Sequence, residues 1–226
     1  MDPLKWVKKH QKEIINRIIS DVNLKSSDKP IAIFMAGLPG AGKTELSYGL
    51  IEQSFPKPIR IDMDELATMI EGYTPENADQ FRAGATRLLN ALFDKVIKLR
   101  LDFVLDGTFG SPVALQNIER VLKRGYEVQI AYACQDPRLA WNFTKAREKV
   151  EHRAISEEGF LETYYKTLNN LNELLREKDK NVVVDIFMKN ADNTVGEQFD
   201  DVTSNQIDAI IRIIYNKDKL KEYIES

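Results

Sequence analysis

Cysteine is nearly absent from this chain of 226 residues. Cys134 alone excludes an internal disulfide, and two histidines beside it leave no ligand set for a zinc site. Cys134 closes the apolar run Val128-Gln129-Ile130-Ala131-Tyr132-Ala133, where a buried structural thiol belongs. Long apolar runs are missing too, and none approaches the ~18 residues of a membrane span. The opening residues, Met1-Asp2-Pro3-Leu4-Lys5, begin an amphipathic polar segment rather than a secretory leader, so the expectation is a cytoplasmic chain. Positive charge is not in excess: 32 Lys and Arg stand against 35 Asp and Glu. A formal charge of −3 gives no general attraction for nucleic-acid backbones. No Gly/Ser/Pro-rich linker, internal repeat or low-complexity tract divides the sequence, which favours one domain over two.

Against that plain background one motif stands out. Gly37-Leu38-Pro39-Gly40-Ala41-Gly42-Lys43-Thr44 is a complete G-x4-G-K-S/T phosphate-binding loop. The apolar run Ile31-Ala32-Ile33-Phe34-Met35 leads into it and the helix-forming run Glu45-Leu46-Ser47-Tyr48 leads out, the strand–loop–helix context the motif requires. Backbone N–H groups of such a loop converge on one anion, and the following helix adds the positive end of its dipole. Lys43 is placed for the β/γ phosphates and the Thr44 hydroxyl for Mg²⁺, with Glu45 closing the nucleotide-binding run. The bland alternative is an ordinary glycine-rich turn between strand and helix.

The rest of the chain alternates short apolar runs with amphipathic ones. Strands are expected at 31–35, 59–61, 101–105, 126–134 and 182–187, with helices at 4–22, 43–53, 75–99, 112–125, 137–150 and 157–178. Ser111 is read as an N-cap with Pro112 at the first helical position. A last helix in the tail carries Ile207, Ile210, Ile211 and Ile214. This order predicts an α/β fold of the P-loop NTPase kind: a parallel five-stranded sheet flanked by helices on both faces, with a helical lid. The expected division is an N-terminal helix and connector over 1–29, a core over 30–190 and a helical tail over 191–226.

Polar residues collect at the expected strand ends, where parallel sheets bind ligands. Asp62 and Asp64 follow the second strand, and Asp106-Gly107-Thr108 follows the third. Phosphoryl transfer needs positioning, charge neutralisation and a carboxylate to take the proton of the attacking hydroxyl. Asp64 is the candidate base, its alternative being a favourable acid in a first helical turn. Asp62 with Glu65 matches a capping box. Asp106 is a candidate for holding Mg²⁺ through water, or an Asp–Gly turn. Thr108 either bonds substrate or satisfies its own turn. The segment 136–153 supplies Arg138, Lys145, Arg147, Lys149 and Arg153 for a lid over the transferring phosphate. Arg147 and Arg153 are about 240° apart on an ideal helix, so Arg153 is expected in a turn before the helix begun by Ser156-Glu157-Glu158. Solvated pairing with Glu148 and Glu151 is the alternative.

Taken in order, the loop, Ile61-Asp62-Met63-Asp64, Asp106-Gly107-Thr108, Gly125-Tyr126-Glu127-Val128 and Arg147…Arg153-Ala154 resemble zeta toxin kinases over roughly residues 30–190. The resemblance implies a P-loop kinase using ATP or GTP with Mg²⁺. It makes Lys43 and Thr44 the nucleotide and metal residues, Asp64 the base, Arg147 and Arg153 the charge-stabilising arginines, and Thr108 a substrate contact. Family members typically phosphorylate the 3′-hydroxyl of a UDP-N-acetyl amino sugar and are restrained by an antitoxin helix, a part that residues 1–29 could instead play in cis or leave for simple packing. Departures fall on the acceptor side. Leu66-Ala67-Thr68-Met69-Ile70-Glu71 lacks the aromatic, arginine and His-Pro step of UDP-sugar enzymes, Asn90 stands for an expected glutamate, and Asp106 replaces the glutamate of Glu-Gly-Thr. Other acceptors stay open: an antibiotic-type small molecule, or a nucleic-acid 5′ end, for which Arg82, Arg87, Lys95, Lys98 and Arg100 read more simply as solvated helix charges. A non-catalytic nucleotide-binding module also remains, although no guanine-reading Asn-Lys-x-Asp occurs.

Overall fold

The structure, a computed structural model, describes residues 1–22, 25–54, 56–151, 154–177, 179–211 and 216–226. The expected strands form as β1 (Ile31–Ala36), β2 (Ile59–Asp62), β3 (Phe103–Asp106), β4 (Glu127–Cys134) and β5 (Val182–Lys189). A further strand, β6 (Val195–Phe199), completes a sheet in the order β2-β3-β1-β4-β5-β6. The first five are parallel, and β6 runs antiparallel to β5. The expected strand count of five is therefore corrected to six. The hairpin 190–194 had to be recognised to see it, and β6 hides because its residues are almost all exposed, so no apolar alternation marks it. In β1 and β4, by contrast, nearly every residue is buried, as strands covered on both faces must be.

The connection from β1 runs past β3 to β2, while that from β3 runs past β1 to β4. Leaving in opposite directions, these neighbours open a crevice beyond their carboxyl ends. By the right-handed crossover rule the β1–β2 helix takes one face of the sheet and the β2–β3 and β3–β4 helices take the other. The helices are α1 (Pro3–Val22), α2 (Lys43–Gln53), α3 (Met63–Thr68), α4 (Ala78–Leu99), α5 (Ala114–Leu122), α6 (Pro137–Glu151), α7 (Glu157–Arg176), α8 (Ser204–Ile210) and α9 (Lys217–Glu225). On α4 the spaced residues Phe81, Ala85, Leu88, Leu92 and Val96 are all buried, as their periodicity requires.

Three local expectations change. Helix α5 starts at Ala114, since Ser111 and Pro112 form the preceding turn, with the Ala114 N–H donating to the Ser111 carbonyl at 3.1 Å. The tail holds two helices, α8 and α9, rather than one, and Ile214 lies outside the described residues. Arg100 is not a solvated charge: it ends α4 at φ 55° and donates to the carbonyls of Ser27 at 3.1 Å and Asp28 at 2.7 Å, fixing the connector before β1.

Helix α1 buries Val7, Ile14 and Ile15 and packs along α4. At its start Trp6 donates to Glu71 at 2.8 Å, and the Pro3 backbone lies against Gly84. Each such buried aliphatic side chain is worth about 1.5–3 kcal/mol. Helix α1 thus packs on α4. No helix among the described residues is long and apolar enough to cross a membrane.

Candidate active site at the strand ends

The loop between β1 and α2 is shaped by contacts that tolerate no side chain. Gly40 has φ +76°, and a Cβ there would stand 2.1 Å from the Ala140 carbonyl oxygen on α6. At Gly37, φ +137°, a Cβ would meet the Ala133 carbonyl oxygen of β4 at 2.5 Å. Both obstacles are backbone and cannot give way. Leu38 and Ala41 are buried, Pro39 and Gly40 partly so, and the Ala41 N–H donates to the Leu38 carbonyl at 3.1 Å. Gly42, in the left-handed region, precedes α2, and the Asn193 side chain of the β5–β6 turn lies against it. Gln135 holds that turn by donating to the Asn190 carbonyl at 2.8 Å and to Asn193 Oδ1 at 3.3 Å.

Lys43 curls over the loop and donates to the Leu38 carbonyl at 2.6 Å. Burial pushes its pKa down to about 8; Asp106, Glu45 and Asp62 oppose the shift, and Arg147 adds to it. Thr44 and Glu45 stand exposed in the first turn of α2, where an acid such as Glu45 meets the positive end of the helix dipole.

Beside the loop sits a network that sequence reading had not assembled. The β2–β3 register sets Asp62 directly opposite Asp106. Neighbouring parallel strands are about 4.8 Å apart, so two like charges at the sheet edge need a counter-ion. Arg60, two residues back on the same face of β2, supplies it. Its Nη2 donates to Asp106 at 2.5 Å and to Asp62 at 3.1 Å, its Nη1 pairs with Glu65, and its Nε donates to the Ser47 hydroxyl at 3.1 Å. The guanidinium also covers the Tyr48 ring at 4.6 Å, and Tyr48 donates to Glu65 at 2.6 Å. Asp62 Oδ1 accepts the N–H groups of Asp64 at 2.8 Å and Glu65 at 2.9 Å, capping α3. Glu65 turns to Arg60 and Tyr48, so the expected capping box is only half made. Burial raises the Asp62 pKa, with Asp106 and Asp64 adding to the rise while the backbone bond from Glu65 and Arg60 restrain it.

Asp64, in the first turn of α3, faces Arg147 of α6 with 3.8 Å between carboxylate oxygen and guanidinium nitrogen. Arg153 lies outside the described residues. Two other basic residues of the expected lid point elsewhere. Arg138 stacks on Tyr223 of α9 at 4.7 Å, and Lys145 pairs with Glu148 at 2.9 Å and covers Trp141 at 4.5 Å. Thr108 does satisfy its own turn, its Oγ1 accepting from the Gly110 N–H at 3.2 Å. Its carbonyl accepts from Gly37 N–H at 3.2 Å and from the Thr167 hydroxyl of α7 at 2.9 Å, tying three segments together. Asn90 is not gathered at the loop. It lies exposed on α4 in a shallow groove of about 410 Å³ shared with Gln11 of α1, Thr86 and Arg87. Thr86 in turn touches Met63, the neighbour of Asp64, through a 3.8 Å contact to sulfur.

A β2-β3-β1-β4-β5 parallel sheet, with a phosphate loop joining its central strand to a helix, defines a P-loop fold of the kinase kind, a nucleotide-binding class. The sequence profile described as Zeta toxin matches residues 15–219. The chain belongs to the zeta toxin family. It is 28% identical over 131 residues to Toxin PezT of Streptococcus pneumoniae serotype 4, a match covering 54% of this chain and 52% of that protein. The chain thus spans about half the length of the curated relative it matches. A solved structure from the PezAT chromosomal toxin-antitoxin system of the same species superposes with TM-score 0.68 at 20% identity, over 95% of this chain and 86% of the other. The AvrRxo1-ORF1:-ORF2 structure with ATP gives TM-score 0.63 at 11% identity, over 85% and 65% of the two chains. Both share the fold.

Proposed function

We propose that this chain transfers the γ-phosphate of ATP or GTP to a hydroxyl group of a small metabolite, a UDP-N-acetyl amino sugar being the first acceptor to try. The observation that carries the reading is the ion pair of Asp64 with Arg147 at 3.8 Å, at the same sheet edge as the loop that carries Lys43. Lys43 and those N–H groups of 37–44 not already given to the Thr108 and Leu38 carbonyls hold the β and γ phosphates, beside Glu45. Asp64, partly exposed, takes the proton of the attacking hydroxyl, while Arg147 and Arg153 balance charge on the transferring group.

No cluster of three or more His, Cys, Asp or Glu side chains among the described residues makes a closed metal cage. That suits Mg²⁺, which keeps several waters and takes one or two protein oxygens beside nucleotide phosphates. Thr44 and Asp106 are the residues that would hold it, in a site where Asp62, Asp106 and Glu65 outnumber Arg60 and Lys43 in charge. Bound there, the ion would draw charge from the phosphate oxygens. The acceptor lies between Asp64, the Thr108 hydroxyl, whose proton is free of the bond it accepts from Gly110, and the α4 face carrying Thr86 and Asn90. An antitoxin-like protein is a proposed partner, since the PezAT structure comes from a system so described. A cytoplasmic setting fits use of ATP or GTP.

The test is mass spectrometry of a metabolite extract and a UDP-sugar panel after incubation with protein and Mg-ATP or Mg-GTP. Species gaining one phosphate support the reading. Nucleotide binding with no acceptor phosphorylated across both sets would leave a binding module.

A further inference from the structure

We propose that Arg60 is a positioning residue for phosphoryl transfer: by clamping Asp62 to Asp106 it sets, through the cap of α3, where the Asp64 carboxylate stands relative to the phosphate loop. The inference rests on the kinase reading above and adds to it a residue outside the loop, the base and the lid.

Arg60 is placed to do this by register and by the shape of its side chain. One guanidinium joins the end of β3 through Asp106, the cap of α3 through Asp62, the body of α3 through Glu65, and the first turns of α2 through Ser47 and Tyr48. Ser47 lies 2.8 Å from the Thr44 carbonyl, so the clamp reaches the turn that follows Lys43. The route to Asp64 is two bonds long. Arg60 Nη2 holds one Asp62 oxygen at 3.1 Å, and the other oxygen receives the Asp64 N–H at 2.8 Å. The Arg60 side chain is 8% exposed, and each of its three nitrogens has a partner among these elements. A lysine would keep the charge but lose the planar fork that grips two carboxylates and Glu65 together. With each guanidinium nitrogen engaged by these side chains, the effect of Arg60 on the reaction passes through them, Asp62 and Asp106 foremost.

Arg60→Lys, Arg60→Met, Glu65→Gln and Asp64→Asn separate positioning from mere support. In Arg60→Lys, kcat should fall at least ~30-fold while nucleotide Kd and acceptor KM stay within ~3-fold and the melting temperature shifts by only a few degrees. Arg60→Met should lose at least as much kcat. Its Mn²⁺ affinity without nucleotide, read by electron paramagnetic resonance, should rise at least ~3-fold because Asp62, Asp106 and Glu65 lose their shared counter-charge. Should Arg60→Met fail to fold, Arg60→Lys and Glu65→Gln carry the test, the latter with a kcat loss of several-fold. Wild-type kcat in Arg60→Lys, or a parallel loss of kcat, KM and thermal stability, would overturn the proposal, as would unchanged Mn²⁺ affinity in a folded Arg60→Met. If Asp64→Asn is inactive and Arg60→Lys fully active, only the role of Arg60 fails; if Asp64→Asn also turns over, the kinase assignment of Asp64 falls with it.

Discussion

The phosphate loop and the α1–α4 groove are built differently. On the phosphate side, Gly37 and Gly40 press against carbonyls of β4 and α6, and the buried Asp106 and half-buried Asp62 are locked by Arg60. The groove between α1 and α4, the side proposed for the acceptor, is shallow and lined by side chains such as Thr86, Arg87 and Asn90, all exposed. A triphosphate needs the same cradle whichever molecule receives the phosphate, so the first side is rigid. An acceptor is read by side chains that can be exchanged without disturbing the fold. The phosphate loop motif is present in full here, whereas the departures after Asp64 and at Asn90 fall where the acceptor is proposed to bind.

Breaking the rigid side should have the largest consequences. Lys43→Ala removes the charge proposed for the β/γ phosphates, and nucleotide affinity measured by calorimetry should drop about 10²-fold or more with transfer lost. Gly40→Ala puts a Cβ 2.1 Å from a backbone oxygen at a positive φ. Thermal unfolding should show a loss of about 1–3 kcal/mol from the backbone strain, with weaker nucleotide binding because the loop must shift.

The Lys43 pKa of about 8 gives a pH test with a definite sign. The folded value is depressed below the ordinary 10.5, so between about 8 and 10.5 the folded chain has lost a proton the unfolded chain keeps. Stability of the nucleotide-free protein therefore rises with pH across that window through this group, and the cost of burying the charge is fully present below pH 8. Nucleotide phosphates favour the charged lysine. Affinity should stay flat below about pH 8 and weaken toward tenfold per unit above it, with proton uptake seen in calorimetry across buffers of different ionisation enthalpy. The smallest effect belongs to the acceptor side: Asn90→Ala should raise acceptor KM only several-fold, leaving nucleotide Kd and melting temperature unchanged. A large fall in nucleotide affinity on that change would erase the contrast between the two sides.

The same contrast governs what could be read before the structure. The loop at 37–44 was legible because its chemistry lies in consecutive residues, and the strand–helix alternation placed Asp62, Asp64 and Asp106 at one sheet edge. Arg60 was not legible, because its role depends on the register that sets Asp62 opposite Asp106, a relation between strands over forty residues apart in sequence. The available signal was Ile59-Arg60-Ile61-Asp62, which by period two puts Arg60 and Asp62 on one face. Strand β6 escaped for the opposite reason, since an exposed edge strand carries no buried residues to mark it. The charge run 138–153 was too generic to sort: Arg147 meets Asp64, while Arg138 and Lys145 turn to Tyr223 and Trp141.

Asp64→Asn decides the central claim most directly, with nucleotide binding and γ-phosphate transfer measured on the same preparation. The account predicts nucleotide Kd within ~3-fold of the parent and transfer reduced by about 10³-fold, as for loss of a general base. Transfer at the parent rate, with Kd unchanged, would contradict it.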